Sequence, residues 1–432
     1  MSISEIYKIY LKHPVVCTDT RKISQGCLFF ALKGDKFDAN QFAQEALNQG
    51  AAFAVVDDAR IVKNEKFILV DDVLKTLQDL ASYHRKALKI PVIGLTGSNG
   101  KTTTKELIYA VLSQKFKTYA TVGNLNNHIG VPLTLLAITP AFELAIVEMG
   151  ANHQQEIALL SEICQPDFGL ITNVGKAHLE GFGGFEGVKK GKGELYTFLE
   201  QNGGTVFVNE DNLHLQDLLK HRKFKETIYY GTSGKGLVQG KLIANNPFLE
   251  VEWHYKEETF KVKSQLTGTY NFENILAAIA IGLRLGLNAV EINYGIANYA
   301  PQNNRSQIIK TAKNTIIGDF YNANPSSMQV AIDNIVKLEA AYKVLILGDM
   351  FELGDETLAE HTTILNKIKD NQFNEVYLVG HNFYKLKHQY PYVFFETAEA
   401  CKQYLSENPL TDGLLLLKGS RGMKLEVLLD VL

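Results

Sequence analysis

Along most of the chain, short fully apolar runs alternate with longer stretches in which apolar residues recur every three or four positions. The first pattern is that of a strand covered on both faces, the second that of a helix with one buried stripe. Between residues 89 and 300 the apolar runs are Val92 to Thr96, Leu144 to Met149, Gly169 to Asn173 and Thr205 to Asn209. Helical patterns separate them, which predicts a mostly parallel sheet with helices on both faces. Residues 236–266 break the alternation with β-prone runs at Pro247-Phe248-Leu249 and Trp253-His254-Tyr255, predicting a small antiparallel insertion. A well-patterned helix follows from Tyr270 to Leu285. The segment from Ala300 to Asn304 is polar and proline-marked and reads as a hinge. Beyond it, runs at Thr315 to Phe320, Lys343 to Leu347, Glu375 to Val379, Tyr392 to Phe395 and Leu414 to Leu417 predict a doubly wound unit. Residues 1–88 instead mix short strands (Cys27 to Leu32, Phe53 to Val56, Phe67 to Val70) with helical stretches such as Asn40 to Gln49.

The expected fold class is therefore α/β in three domains. Residues 1–88 form a small α/β domain, 89–300 a central domain on a mostly parallel sheet, and 301–432 a Rossmann-like, doubly wound domain. A length of 432 residues is too great for one core. The 46% hydrophobic and 21% charged content is ordinary for a globular chain. A net charge of −3 supplies no basic field, so no nucleic-acid partner is expected. Cys17, Cys27, Cys164 and Cys401 lack C-x-x-C spacing and read as buried thiols of a reducing compartment. The first residues lack the basic start and apolar run of a signal peptide. No apolar stretch approaches the roughly 20 residues that a membrane helix needs. The expectation is a cytoplasmic protein with no membrane partner.

Chemistry concentrates where a strand meets a helix, at I-G-L-T-G-S-N-G-K-T-T-T between Ile93 and Thr104. Gly97 and Gly100 let the backbone turn its N–H groups inward around phosphate oxygens, and the following helix adds its positive end. Lys101 can reach the β- and γ-phosphates, and the Thr102 hydroxyl can ligate Mg²⁺. Position 95 is Leu where the standard phosphate loop has glycine, so this is a T-G-x-x-G-K-T variant. Gly97, Ser98, Asn99, Gly100, Lys101, Thr102 and Thr103 are read as a P-loop ATP site. Three further groups follow apolar strands: Glu148, His178 and Lys192. Singly, each has an ordinary reading, as a strand-end acid, a surface histidine and a solvated basic face. Together they suit phosphoryl transfer, whose charge is often neutralised by two divalent ions. A lysine beside two cations would have its ammonium disfavoured. Its neutral amine could then add CO₂ and serve as a carbamate, a long carboxylate.

At this point the chain resembles the Mur ligase family, the ATP-dependent amide-forming enzymes of cytoplasmic peptidoglycan synthesis. The resemblance covers nearly the whole length. It rests on D-T-R-x4-G-x-L-F-F-A-L-x-G (Asp19 to Gly34), the ATP loop, T-V-G-N-L-N-N-H-I-G-V-P (Thr121 to Pro132), E-M-G-A-N-H (Glu148 to His153) and N-V-G-K-A-H-L-E-G-F-G (Asn173 to Gly183). Y-N-F-E-N-I-L-A-A, D-F-Y-N-A-N-P-S-S-M, L-G-D-M-F-E-L-G and L-K-G-S-R-G-M follow. Y-N-A-N-P followed by G-D-M-x-E-L-G is similar to the members that join D-alanyl-D-alanine to UDP-N-acetylmuramoyl-tripeptide.

The resemblance implies a first domain that binds the UDP-substrate through Thr20 and Arg21, a central ATPase domain and a last domain that closes on the nucleotide. It makes Lys101, His178 and Lys192 catalytic. Thr102, Glu148, His178 and a carbamylated Lys192 would hold Mg²⁺, two ions in all. Lys192 lies fourteen residues after His178 as in the family, with Lys189 and Lys190 nearby. Asn271 and Asn274 would face adenine, and Arg305, Asp319, Tyr321 and Asn322 would reach the nucleotide. Asn124, Asn126, Asn127 and His128 would face the muramyl peptide, and Lys418, Ser420 and Arg421 the dipeptide. The implied protein is a monomer that makes an acyl phosphate from ATP. Two positions depart from the family's pattern: Asn304 replaces a common glycine before Arg305, and Gly318 replaces a frequent acid before Asp319. Rival readings are a relative adding D-Glu, a diamino acid or folate glutamates, a nucleotide binder without turnover, and a generic P-loop kinase.

Overall fold

The computed structural model describes residues 1–232, 234 and 236–432. Its largest sheet has nine strands. From one edge they are Glu258–Lys263, Leu249–Tyr255, Val238–Asn245, Glu226–Gly231, Thr205–Asn209, Phe168–Ile171, Val92–Thr96, Leu144–Glu148 and Thr118–Ala120. The seven from Val238–Asn245 to Thr118–Ala120 pair in parallel. The expected antiparallel insertion is therefore a meander that prolongs the parallel sheet. Val92–Thr96 and Leu144–Glu148 are buried at every position, as uninterrupted apolar runs require. Helices Lys101–Leu112, Asn271–Arg284 and Ala289–Asn298 cover one face. Glu156–Cys164 and Phe185–Gln201 cover the other.

The first segment holds a four-stranded parallel sheet, Val16–Cys17, Leu28–Phe30, Phe53–Val56 and Phe67–Leu69. The helix Val73–Ala87 follows, starting at Asp72, whose carboxylate accepts from the Lys75 N–H at 2.8 Å. It packs on helices of the central segment as well as on its own. One apolar cluster accordingly runs from Ile6, Leu28 and Leu77 through Val131 and Ile157 to Leu195. Buried Arg85 ties the seam, donating to the carbonyls of Cys164 and Gln165 and to Asp167.

The last segment is a six-stranded sheet in the order Gln307–Lys310, Thr315–Asp319, Leu414–Lys418, Lys343–Gly348, Glu375–Val379 and Val393–Phe395. Its first pairing is antiparallel and the rest are parallel. Helices Pro325–Lys337 and Thr357–Lys369 cover one face and Ala398–Glu407 the other, each over its own apolar cluster. Contacts to the central segment are polar. Asn324 Nδ2 donates to Asn99 Oδ1 (2.8 Å), the Lys176 N–H to Ser326 Oγ (2.9 Å) and Lys176 Nζ to Glu360 Oε1 (2.6 Å). These contacts bring the carboxyl ends of both large sheets together.

Candidate active site

The phosphate loop leaves the centre of the nine-stranded sheet, and its neighbours fix its shape. Gly97 has φ +148, and a Cβ there would lie 2.0 Å from Thr172 Oγ1. Gly100 (φ +78) caps the helix, and a Cβ there would lie 2.9 Å from Asn274 Oδ1. Only glycine meets both demands. Asn173 Oδ1 accepts from the Asn99 N–H (3.0 Å), and Ser98 Oγ accepts from the Gly175 N–H (2.9 Å). Lys101 Nζ donates to the carbonyls of Gly97 (2.7 Å) and Ser98 (3.2 Å). Burial, with the Arg305 charge adding, pulls its ammonium down to about 8, while Glu148 opposes the fall.

Next to the loop, Thr102 Oγ1 donates to both oxygens of the buried Glu148 carboxylate, at 2.9 and 3.2 Å. Asn126 Nδ2 donates to the same carboxylate at 2.9 Å. A hydroxyl and a carboxylate are hard oxygen donors of the kind Mg²⁺ accepts beside phosphate oxygens and water. His178 sits with φ +53, and its Nδ1 is hydrogen-bonded to Glu352 of the last segment. That bond holds the Glu352 carboxyl below the usual carboxylate range. Lys192 is 1% exposed; its Nζ donates to the Ala151 carbonyl at 3.3 Å and lies 5.0 Å from the Phe182 ring centroid. Burial lowers its ammonium well below the ordinary lysine value, and the Lys101 charge adds to the effect. Lys189 is instead paired with Asp217, and Lys190 is exposed. Of the three lysines, only Lys192 has the buried, disfavoured ammonium that a carbamate needs.

A cavity of ≈ 810 Å³ joins the loop from Ser98 to Lys101, Glu148 and His178 to the last segment, while Thr102 and Lys192 lie outside its lining. Asn124, Asn126, Asn127, His128, Glu148 and His178 line it on one side. Asn271 and Asn274 line another, braced by bonds from Asn271 Nδ2 to the Thr267 carbonyl (2.8 Å) and from Asn274 Nδ2 to Asn271 Oδ1 (2.9 Å). Arg305, Asp319, Tyr321, Asn322 and Lys418 close it from the last segment. The Arg305 guanidinium stacks 3.9 Å from the Tyr321 ring centroid, and its buried Nε has no acceptor among the described residues. Lys418 Nζ donates to Asp319 Oδ2 at 2.5 Å. Ser420 and Arg421 lie in an adjoining cavity of ≈ 210 Å³. Thr20 and Arg21 line neither cavity; Arg21 is exposed on the first segment and paired with Asp19.

The structure adds groups that the sequence reading assigned no role. Tyr270, Ser306, Asn173, Glu273, Asn324 and Glu352 all line the main cavity. Asn324 had a legible signal, since Asn before Pro325 is a helix start; its side chain caps the Ser327 N–H at 2.9 Å. The two departures also find their reasons. Asn304 adopts φ +58, a left-handed conformation that asparagine tolerates better than most residues, so it can stand where glycine is usual. A Cβ at Gly318 would lie 3.0 Å from the Phe320 ring and 3.1 Å from Ile309, so an acid there would require both side chains to shift.

Three family profiles divide the chain: "Mur ligase family, catalytic domain" over residues 14–93, "Mur ligase middle domain" over 95–282 and "Mur ligase, glutamate ligase domain" over 304–421. A Bacillus subtilis (strain 168) UDP-N-acetylmuramoyl-tripeptide–D-alanyl-D-alanine ligase is 36% identical, covering 95% of this chain and 91% of its own. The Escherichia coli (strain K12) protein of that name is 38% identical over 84% of this chain and 81% of its own. Among solved structures, MurF from Acinetobacter baumannii matches with a TM-score of 0.88 at 30% identity, over 96% of this chain and 92% of that one. MurF from Thermotoga maritima in complex with ADP matches at 0.85 and 26% identity, over 96% of each chain.

Proposed function

The chain belongs to the Mur ligase family, and on that premise we infer that it joins D-alanyl-D-alanine to UDP-N-acetylmuramoyl-tripeptide with cleavage of ATP. The observation that carries the reading is convergence. A glycine-shaped phosphate loop, the Glu148 carboxylate that Thr102 holds and the carboxyl edge of a second sheet all face one ≈ 810 Å³ cavity. The relatives of matching length carry the same activity in their names.

The chemistry starts from a poor electrophile, the terminal carboxylate of the tripeptide. Its oxygen attacks the γ-phosphorus of ATP, ADP departs, and the carboxyl becomes an acyl phosphate. The dipeptide amine then adds to that carbonyl, and the tetrahedral adduct expels inorganic phosphate and a proton. The Gly97–Lys101 backbone holds the phosphates, and the Lys101 charge offsets repulsion between them and the carboxylate. Mg²⁺, when bound, would neutralise phosphate charge; Thr102 and Glu148 fit it, and His178 and a carbamylated Lys192 are proposed as further ligands to a second ion. Arg305, Asp319, Tyr321 and Asn322 are proposed to meet the nucleotide, and Asn271 and Asn274 its adenine. Asn124, Asn126, Asn127 and His128, with Thr20 and Arg21 further out, are assigned to the UDP-muramyl peptide. Lys418, Ser420 and Arg421 are assigned to the dipeptide. Contact between the last segment and the loop excludes water from the acyl phosphate.

Among the described residues no helix is long and apolar enough to cross a membrane. The proposed place of action is the cytoplasm. The test is phosphate release and product mass with UDP-N-acetylmuramoyl-tripeptide, ATP and either D-alanyl-D-alanine or single amino acids. Product is expected with the dipeptide alone; turnover with D-Glu or a diamino acid in its place overturns the reading.

A further inference from the structure

The loop G-D-M-F-E-L-G after strand Lys343–Gly348 has no part in the reaction as described, yet it is braced from several sides. Asp349 accepts from the N–H groups of Asn382 (2.8 Å) and Phe383 (2.9 Å). The Met350 N–H donates to Nε2 of fully buried His361 at 3.1 Å. The Phe351 N–H donates to Ser420 Oγ at 3.0 Å, and the Ser420 N–H to the Asp349 carbonyl at 3.1 Å. What the bracing presents is Glu352, held at φ +62, a conformation that side chains other than asparagine and aspartate avoid. Its carboxylate meets His178, itself at φ +53. Backbone strain in two residues from different segments thus converges on one contact, and such strain persists only where surrounding structure enforces it.

That contact sits where two cavities adjoin. His178 and Glu352 line both the ≈ 810 Å³ cavity and the ≈ 210 Å³ side cavity. The side cavity is lined besides by Ala177, Ala323 and Phe351, by the polar Asn322, Asn324 and Ser420 and, bringing a cation, by Arg421. Arg421 has no carboxylate within 4.0 Å among the described residues, and its guanidinium lies 5.2 Å from the Tyr321 ring centroid. A small chamber with an anion at the shared boundary, an unpaired cation and walls of short amide, hydroxyl and methyl side chains suits a short zwitterion whose peptide group needs hydrogen-bond partners and whose side chains are small.

Resting on the function inferred above, we propose that Glu352 receives the ammonium of the incoming dipeptide, whose carboxylate faces Arg421, and so selects a free amine and places it at the edge of the main cavity. A carboxylate has lone pairs enough to keep His178 and accept from an ammonium together. The test is steady-state kinetics of Glu352→Gln and Glu352→Gly, the second relieving the positive φ so that folding is not at issue. The KM for D-alanyl-D-alanine is expected to rise about 10- to 100-fold, the scale of one hydrogen bond to a charged group. The KM values for ATP and the UDP-tripeptide should stay within about twofold. N-acetyl-D-alanyl-D-alanine, which lacks the ammonium, should compete poorly with the dipeptide in the unmodified protein, and this discrimination should shrink in Glu352→Gln. A fall in kcat with the dipeptide KM unchanged would assign Glu352 to orienting His178 and overturn the proposal, as would unaltered kinetics. Failure of the unmodified protein to use the dipeptide would instead sink the function on which the proposal rests.

Discussion

Two amines beside the loop show how burial sets chemistry residue by residue. Lys101 keeps its charge at neutral pH, because about 8 is still above it. Replacing it, as Lys101→Ala, is expected to cost at least about 10²-fold in turnover, the scale of one lost transition-state charge contact, read by phosphate release. In Lys192 burial, with the Lys101 charge adding, disfavours the ammonium. Lys192→Ala should fall sharply in activity and recover in part with acetate or formate; full activity without either acid would remove Lys192 from the mechanism. The family's spacing pointed to Lys192, but with Lys189 and Lys190 so near, the physical difference lies in which way each faces on one helix. Glu352 was illegible for a related reason: its partner His178 is 174 residues away. The cysteines, by contrast, read correctly as buried thiols. Burial pushes Cys164 and Cys401 up to about 12. The thiolate is the reactive form, so at pH 8 only about one thiol in 10⁴ is ionised at these sites. Iodoacetamide at pH 8 should leave both unmodified in the native protein by peptide mass, with alkylation rising as pH climbs toward 12.

At the scale of elements, the fully buried strands were legible and several partly exposed ones were not. The runs at Val92–Thr96, Leu144–Glu148 and Leu414–Lys418 are buried throughout and stand out as unbroken apolar stretches. Glu226–Gly231 and Gln307–Lys310 are partly exposed and mix polar with apolar residues, so the alternation that marks them is weak. The meander was recognisable as β, but periodicity does not name a strand's partner, and its continuity with the main sheet emerges only in the fold. Trp253 anchors it, fully buried, with Nε1 donating to Asn293 Oδ1 at 3.0 Å. Trp253→Ala is expected to destabilise the protein by about 3–5 kcal/mol in denaturant unfolding followed by circular dichroism. Nucleotide affinity should hardly change in the folded fraction, because four strands separate Leu249–Tyr255 from the loop strand Val92–Thr96.

Across the whole molecule, three sequence segments make two apolar bodies. Residues on both sides of position 88 share one cluster, whereas the clusters of the last segment contain none from the rest. Between those bodies the contacts named above are hydrogen bonds and an ion pair, an interface of the kind that lets domains move. Calorimetry of the ligand-free protein should resolve two heat-absorption peaks, one for residues 301–432 and one for the remainder. A single peak whose calorimetric and van't Hoff enthalpies agree would refute this division. The seam tied by Arg85 also bears on timing. Anything docked on the opening 88 residues keeps a fixed bearing on the phosphoryl donor, as a vice keeps work aligned with a tool. On the proposed roles, only what the closing 130 or so residues carry would swing in and out. On the function proposed above, the order of events would be governed at one joint, the linker in which Asn304 takes its left-handed bend.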